Sequence, residues 1–334
     1  MDSTKINSLN LFRGVAGYGV AVSHFYYYLF DINFFQFLSI FFVEFFFVLS
    51  GFVLYPQLLR VYNNSKNLKI FYFRRWLRTI PAYCLALLTY SIFFFKFDLD
   101  TLKYLFFLQN LTESFLIFDY FPIAWSLSIE EIFYLIFPLF LIFFKKVKFI
   151  KILLMFILLI YLIKIFKLFY LGSSEEFYRI GTFLRLDAIA FGVLTRIYLK
   201  RIVNISFNIL LFFFISLIML FFYLNIKELS EISNFAFIFL IQIYSVNVLL
   251  IFINFNKYIK LNSSISFFSL LSNQTYSVYL FHFMIILLFK NNMDIMGDNF
   301  ILLKYLLALF SFSTIFYYFF EKEINIKRPS YKFN

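Results

Sequence analysis

Arg13 and His24 stand eleven residues apart in the first long apolar stretch of the chain. On a helix, eleven residues rise about 16 Å and return to within about 20° of the starting direction. Both side chains therefore project from one face, at two depths. Ionisable groups inside an apolar span are costly and almost always face a bundle interior or a wet cavity, so the pair marks a site for chemistry. An imidazole titrates near neutrality and can take a proton from an attacking hydroxyl. Arg13 is too far along the helix to touch His24 directly. It reads as an anchor for a phosphate or for the carboxylate of another helix.

Other groups could contribute. Arg75 and Arg78 form an Arg-x-x-Arg step beside Arg74; their charge serves either topology or, through planar guanidinium forks, phosphate recognition. Glu130 and Glu131 are adjacent and point about 100° apart on a helix, so they cannot form an acid–base dyad with each other. Glu130 is expected to pair with an arginine such as Arg13 or Arg185, or to bind hydroxyls. Trp125 reads equally as a stacking platform for a ligand and as an interfacial anchor. Glu44 lies within an apolar span and needs a partner or a wet cavity. Arg185 and Asp187, two residues apart, do not face each other and read as polar glue between helices. His282 sits in an aromatic patch and reads as structural, and Cys84 as a buried, inert thiol. With two histidines and one cysteine, the chain shows no helix-spaced zinc pattern and no disulfide framework, so no metal is expected. A Gly-x-Ser-x-Gly elbow is also absent.

The elements that must position these groups are apolar. The 334 residues are 63% hydrophobic, well above the roughly 45–50% of a soluble domain, which points to a membrane protein. About ten spans are expected, at 9–30, 34–57, 77–96, 122–144, 149–171, 181–198, 205–225, 232–253, 267–289 and 300–320, each near the twenty-odd residues a bilayer requires. Alternate loops collect Arg60, Lys66, Lys69, Arg74, Arg75, Arg78, Lys145, Lys146, Lys148, Arg196, Lys200, Arg201, Lys257 and Lys260, with Lys327 and Arg328 in the tail. The opposite loops hold Asp98, Asp100, Asp119, Glu175, Glu176, Glu228, Glu231, Asp294 and Asp298. This alternation predicts both termini in the cytoplasm. It also accounts for the net charge of +12 without nucleic acid. The first stretch has no cleavage-site pattern and reads as a retained span. Tyr104 to Leu108 could form a short re-entrant or interfacial helix. The expected architecture is all-α, a polytopic membrane bundle, with residues 1–334 forming one domain and no fused soluble domain.

Six local patterns, taken in order, resemble one family. They are Leu11-Phe12-Arg13-Gly14 with His24; Phe45-Phe46-Phe47-Val48-Leu49-Ser50-Gly51-Phe52; Tyr72-Phe73-Arg74-Arg75-Trp76-Leu77-Arg78 with Pro81; Trp125-Ser126-Leu127-Ser128-Ile129-Glu130-Glu131-Ile132-Phe133-Tyr134; Arg185-Leu186-Asp187; and Tyr276-Ser277-Val278-Tyr279-Leu280-Phe281-His282. Across nearly the whole chain they look like the membrane-bound acyltransferase-3 family, which O-acylates surface polysaccharides and related glycans.

The resemblance implies a bacterial inner-membrane O-acyltransferase, most simply an O-acetyltransferase that takes acetyl from acetyl-CoA to a sugar hydroxyl. Its acceptor would be a lipid-linked oligosaccharide or a surface glycan such as lipopolysaccharide O-antigen, capsule or exopolysaccharide. It assigns His24 as general base, with Arg13 and Glu130 in the catalytic set. Arg75, Arg78 and Arg13 would hold donor phosphates, and Trp125 and Glu44 would contact substrate. At Glu44 many members carry Asp. At Glu321 the family's following proline is replaced by Lys322, so no role is carried onto Glu321. The competing class is a flippase, transporter or glycan polymerase of similar span count, since intramembrane Arg, Glu and His serve transport equally well. The arginine step and the Trp-Ser-Leu-Ser-x-Glu-Glu segment argue against it. The sequence leaves the oligomeric state open.

Overall fold

The computed structural model describes residues 7–113, 120–171, 175–202, 204–225, 231–255, 264–292 and 300–331. Among them there is no strand. The chain forms α1 (Asn7–Phe30), α2 (Asn33–Asn63), α3 (Asn67–Phe94), the short α4 (Leu99–Leu105), α5 (Ala124–Phe143) and α6 (Phe149–Phe166). Next come α7 (Glu175–Ile180), α8 (Leu186–Ile202), α9 (Ile205–Leu224), α10 (Glu231–Phe255), α11 (Ser264–Asn291), α12 (Ile301–Phe316) and α13 (Lys322–Ile326). Single π-turns extend α6 over Lys167–Leu171 and join α12 to α13 over Tyr317–Glu321. The fold is a polytopic helical membrane bundle. Each expected span overlaps one long helix, but α2 runs on past Arg60 and α3 starts ten residues earlier than expected, so Arg60, Lys69, Arg74 and Arg75, expected in a loop, lie on helices. The short helix expected near 104–108 lies earlier, as α4. Asp98 caps α4 by accepting from Asp100 N and Thr101 N at 3.0 and 3.1 Å. Expected loop charges at Asp119, Glu228, Lys257, Lys260, Asp294 and Asp298 fall outside the described residues.

Seven helices are long and apolar enough to cross a membrane: α2, α3, α5, α6, α9, α10 and α12. The other three long helices, α1, α8 and α11, fall short for physical reasons. α8 has 17 residues, and α1 and α11 carry the polar side chains of the interior, including Arg13, His24, Gln274 and His282. α1 packs mainly against α11 and α2, and α2 also packs along α8. The α2–α8 approach is backbone against backbone. A Cβ on Gly51 would stand 1.9 Å from the Ile189 carbonyl oxygen, and one on Gly192 would stand 2.0 Å from that of Val48. Only glycine allows such contact.

That seam also buries charge. Glu44 of α2 pairs with Arg185, and Lys164 of α6 pairs with Asp187 of α8, all four almost wholly buried. The expected facing-apart of Arg185 and Asp187 thus resolves into two ion pairs to different helices. Removing one partner from such a pair strands a buried charge.

Candidate functional site

Two cavities among the described residues are lined by charged or histidine side chains. The first, about 440 Å³, is lined by Arg13 of α1, Arg75 and Arg78 of α3, Glu130 and Tyr134 of α5, and Arg328 of the tail, among others. Arg75 and Arg78 are three apart on α3 and so share a face, whereas Arg74 turns away. The lining carries five cations (Arg13, Arg75, Arg78, Lys322, Arg328) against two carboxylates, Glu130 and Glu321. Arg75 lies 5.6 Å from the ring centroid of Tyr134. It is buried, and its Nε has no hydrogen-bond partner. A cavity with this excess of guanidinium suits a ligand carrying several phosphates.

Glu130 is held rather than ion-paired. It accepts from Ser50 Oγ at 2.5 Å and from Tyr134 OH at 2.9 Å. The expected pairing with Arg13 or Arg185 does not form. Arg185 is committed to Glu44, and the Arg13 Nη1 donates to Ser272 Oγ at 3.5 Å. Nor does Glu130 share the level of Trp125. Five residues along α5 lower it by about 8 Å, into the arginine cavity.

The second cavity, about 590 Å³, is lined by His24, Tyr28, Trp125 and Arg179 among others. Here the two histidines meet. His24 Nδ1 lies 2.8 Å from His282 Nε2, and His282 Nδ1 lies 2.8 Å from the Tyr279 carbonyl oxygen and 3.2 Å from that of Val278. Carbonyl oxygens only accept, so the partners assign the proton of His282 to Nδ1. Its Nε2 then accepts from His24 Nδ1–H, and the lone pair of His24 is left on Nε2. No described residue hydrogen-bonds that nitrogen. Tyr90 of α3 braces this turn, donating to Leu280 O at 3.2 Å and accepting from Met284 N at 2.9 Å.

The two cavities share two lining residues, Val43 and Tyr279. Tyr279 is therefore a partition. Its hydroxyl is hydrogen-bonded to Ser126 of α5 and donates to the Ile123 carbonyl at 3.3 Å. One residue thus separates the cavities with its side chain and orients His282 with its carbonyl.

Arg13 and His24 accordingly lie on one helix face but in different cavities, and Trp125 joins His24 while Glu130 joins Arg13. Glu44, expected to contact substrate, lines neither of these two cavities, and its Oε2 pairs with Arg185. The sequence reading missed His282 as the partner of His24, the Tyr279 partition, Arg179 and Arg328. Only for His282 was there a signal, since it is the second of two histidines. Arg179 lies 5.6 Å from the Trp125 ring centroid. Among the described residues no group of three or more His, Cys, Asp or Glu side chains is assembled that could hold a metal.

A family model described as an acyltransferase domain matches residues 6–321. Over 119 residues, 30% of this chain, the sequence is 35% identical to a putative peptidoglycan O-acetyltransferase of Bacillus subtilis (strain 168). It is 37% identical over a stretch of the same length to a peptidoglycan O-acetyltransferase of Listeria monocytogenes serovar 1/2a. The matched stretch covers 19% of the length of each relative. No solved structure matches significantly.

Proposed function

Because the chain belongs to the acyltransferase family whose domain spans residues 6–321, we propose that it is a multi-pass O-acetyltransferase of the bacterial cytoplasmic membrane. It uses acetyl-CoA to acetylate a sugar hydroxyl of a cell-surface glycan. The observation that carries this reading is the arrangement of the two cavities. One is rich in arginine, and the other contains a histidine whose tautomer leaves Nε2 bare. The arginine cavity, on the cytoplasmic side in the charge-derived topology, receives the donor phosphates at Arg13, Arg75 and Arg78. The histidine cavity receives the acceptor, with Trp125 available to stack on a sugar face.

In the reaction, the acceptor hydroxyl oxygen attacks the thioester carbonyl carbon, and His24 Nε2 takes the hydroxyl proton. The His24 Nδ1–H remains donated to His282, which steadies the imidazolium that forms. Collapse of the tetrahedral intermediate breaks the C–S bond. The departing thiolate recovers the proton, which leaves an ester and a free thiol. The thioester must reach past Tyr279, the shared wall. Glu130, fixed by Ser50 and Tyr134, orders the arginine cavity rather than acting on the hydroxyl.

The relatives' names make peptidoglycan one acceptor to assay, beside O-antigen, capsule and exopolysaccharide. A polytopic flippase or polymerase could use the polycationic cavity equally well, but it would have no need of the bare Nε2 of His24. The test is to compare glycan O-acetyl content by NMR in cells carrying wild type or His24→Ala at equal protein levels. Acetylation is expected to fall to background. Unchanged acetylation would overturn the general-base role.

A further inference from the structure

Arg74 stands beside Arg75 in sequence but does not line the arginine cavity. Its Nη1 instead donates to the carbonyl of Pro329 at 2.5 Å. Its guanidinium carbon lies 5.3 Å from the ring centroid of Tyr331, and that of Arg60 on α2 lies 4.8 Å from the same ring. The Tyr331 hydroxyl donates to Gln57 Oε1 at 3.3 Å. Two helices thus clamp residues 329–331. Immediately before them, Arg328 lines the cavity together with Arg75 and Arg78.

Nothing in the apolar packing of the bundle requires a fourth arginine at this place. Its position is electrostatically unfavourable: burial, then Arg78, Arg74 and Arg75, pull the Arg328 guanidinium down to about 10. Among the described residues it makes no ion pair, and its Nε donates to the Asn325 carbonyl at 3.1 Å. An oligo-anion seated among these groups would reverse the sign of that interaction. Arg75, in the same lining, is buried with its Nε unpartnered.

The geometry points to Arg328 as a phosphate-binding residue of the donor site, delivered by the C-terminal tail, with Arg74 and Tyr331 positioning the strap that carries it. This rests on the reading of the cavity as the site of a phosphate-bearing acyl-CoA. The Arg74-Arg75-x-x-Arg78 step then has divided duties. Arg75 and Arg78 face the ligand, while Arg74 holds the tail segment that carries Arg328.

The test is calorimetric titration of coenzyme A into the purified full chain, comparing wild type with Arg328→Gln, Arg328→Lys and Tyr331→Leu. Loss of one charge-assisted contact is expected to weaken binding about ten-fold or more in R328Q. The lysine variant should retain most of the affinity, and Tyr331→Leu should lose several-fold. The unliganded melting temperature of R328Q should be no lower than wild type, which separates a ligand contact from a structural one. Equal coenzyme A affinity in wild type and R328Q would overturn the inference while leaving the donor reading intact. Failure of wild type itself to bind coenzyme A would sink both. In a parallel arm, vesicles containing anionic phospholipid replace coenzyme A. If R328Q loses vesicle association but keeps coenzyme A affinity, Arg328 serves a lipid headgroup and the inference fails.

Discussion

His24 and His282 are separated by 258 positions in the chain, yet Nδ1 of one lies 2.8 Å from Nε2 of the other. The contact fixes more than a distance. Since His282 gives its own Nδ1 proton to the Tyr279 carbonyl, it can only accept from His24, and the basic nitrogen of His24 is thereby chosen.

Replacing His282 should therefore damage turnover more than binding. His282→Ala is expected to lower kcat about 10²-fold or more, the scale of general-base assistance, with KM for acetyl-CoA near wild type. His282→Gln, whose amide oxygen can still accept from His24 Nδ1–H, should recover part of the loss. Steady-state kinetics on purified protein decides this, and equal kcat in wild type and His282→Ala would return His282 to packing.

The arginine cavity makes a different prediction. The Arg75→Ala, Arg78→Ala double variant should weaken acetyl-CoA binding more than about 100-fold, since two hydrogen bonds to charged groups at about 1.5–3 kcal/mol each amount to at least about 3 kcal/mol. Binding by wild type should also weaken as salt is raised. Titration at two ionic strengths checks both statements. An unaltered affinity would leave the two arginines with topology as their only task.

Tyr279 separates the cavities through its hydrogen bond to Ser126. Tyr279→Ala keeps the backbone carbonyl that orients His282 but removes the partition. Water should then reach the thioester, so acetyl-CoA hydrolysis without acceptor should rise several-fold over wild type. A thiol-release assay reads this directly, and a hydrolysis rate no higher than wild type would show that the phenol is no barrier.

Glu44 is predicted to act on stability alone. Glu44→Gln strands Arg185 in the interior and should cost about 3–5 kcal/mol. Glu44→Leu combined with Arg185→Met should restore much of that loss. Unfolding in detergent measures the cost, while KM for each substrate in the folded fraction should stay unchanged. A raised acceptor KM in Glu44→Gln at full stability would restore Glu44 to the binding site.

Gly51→Ala and Gly192→Ala test the α2–α8 seam. The added Cβ atoms would fall 1.9 and 2.0 Å from backbone oxygens, so the helices must separate, at about 1–3 kcal/mol or more. Gly14→Ala, whose Cβ would meet Leu271 Cβ at 3.1 Å, should be far milder. Melting temperatures of the three variants rank the effect.

Much of this molecule is local and was legible in its residues. Hydropathy and span length located the helices, because a bilayer demands about twenty apolar residues per crossing. The 3.6-residue period put Arg13 and His24 on one face, and Arg75 with Arg78 on another. Motif order pointed to the family. What the sequence could not supply was the rotation and pairing of the helices. Spans that are apolar almost all round carry no stripe to say which face meets which neighbour, and contacts such as Gly51 against Ile189 depend on close shape rather than pattern. Tertiary structure alone decided that Glu44 belongs to Arg185, that Glu130 belongs to Ser50 and the arginine cavity, and that Tyr279 stands between the two sites. It also brought His282 to His24. Each of these joins side chains from helices far apart in sequence, where only packing determines the partner.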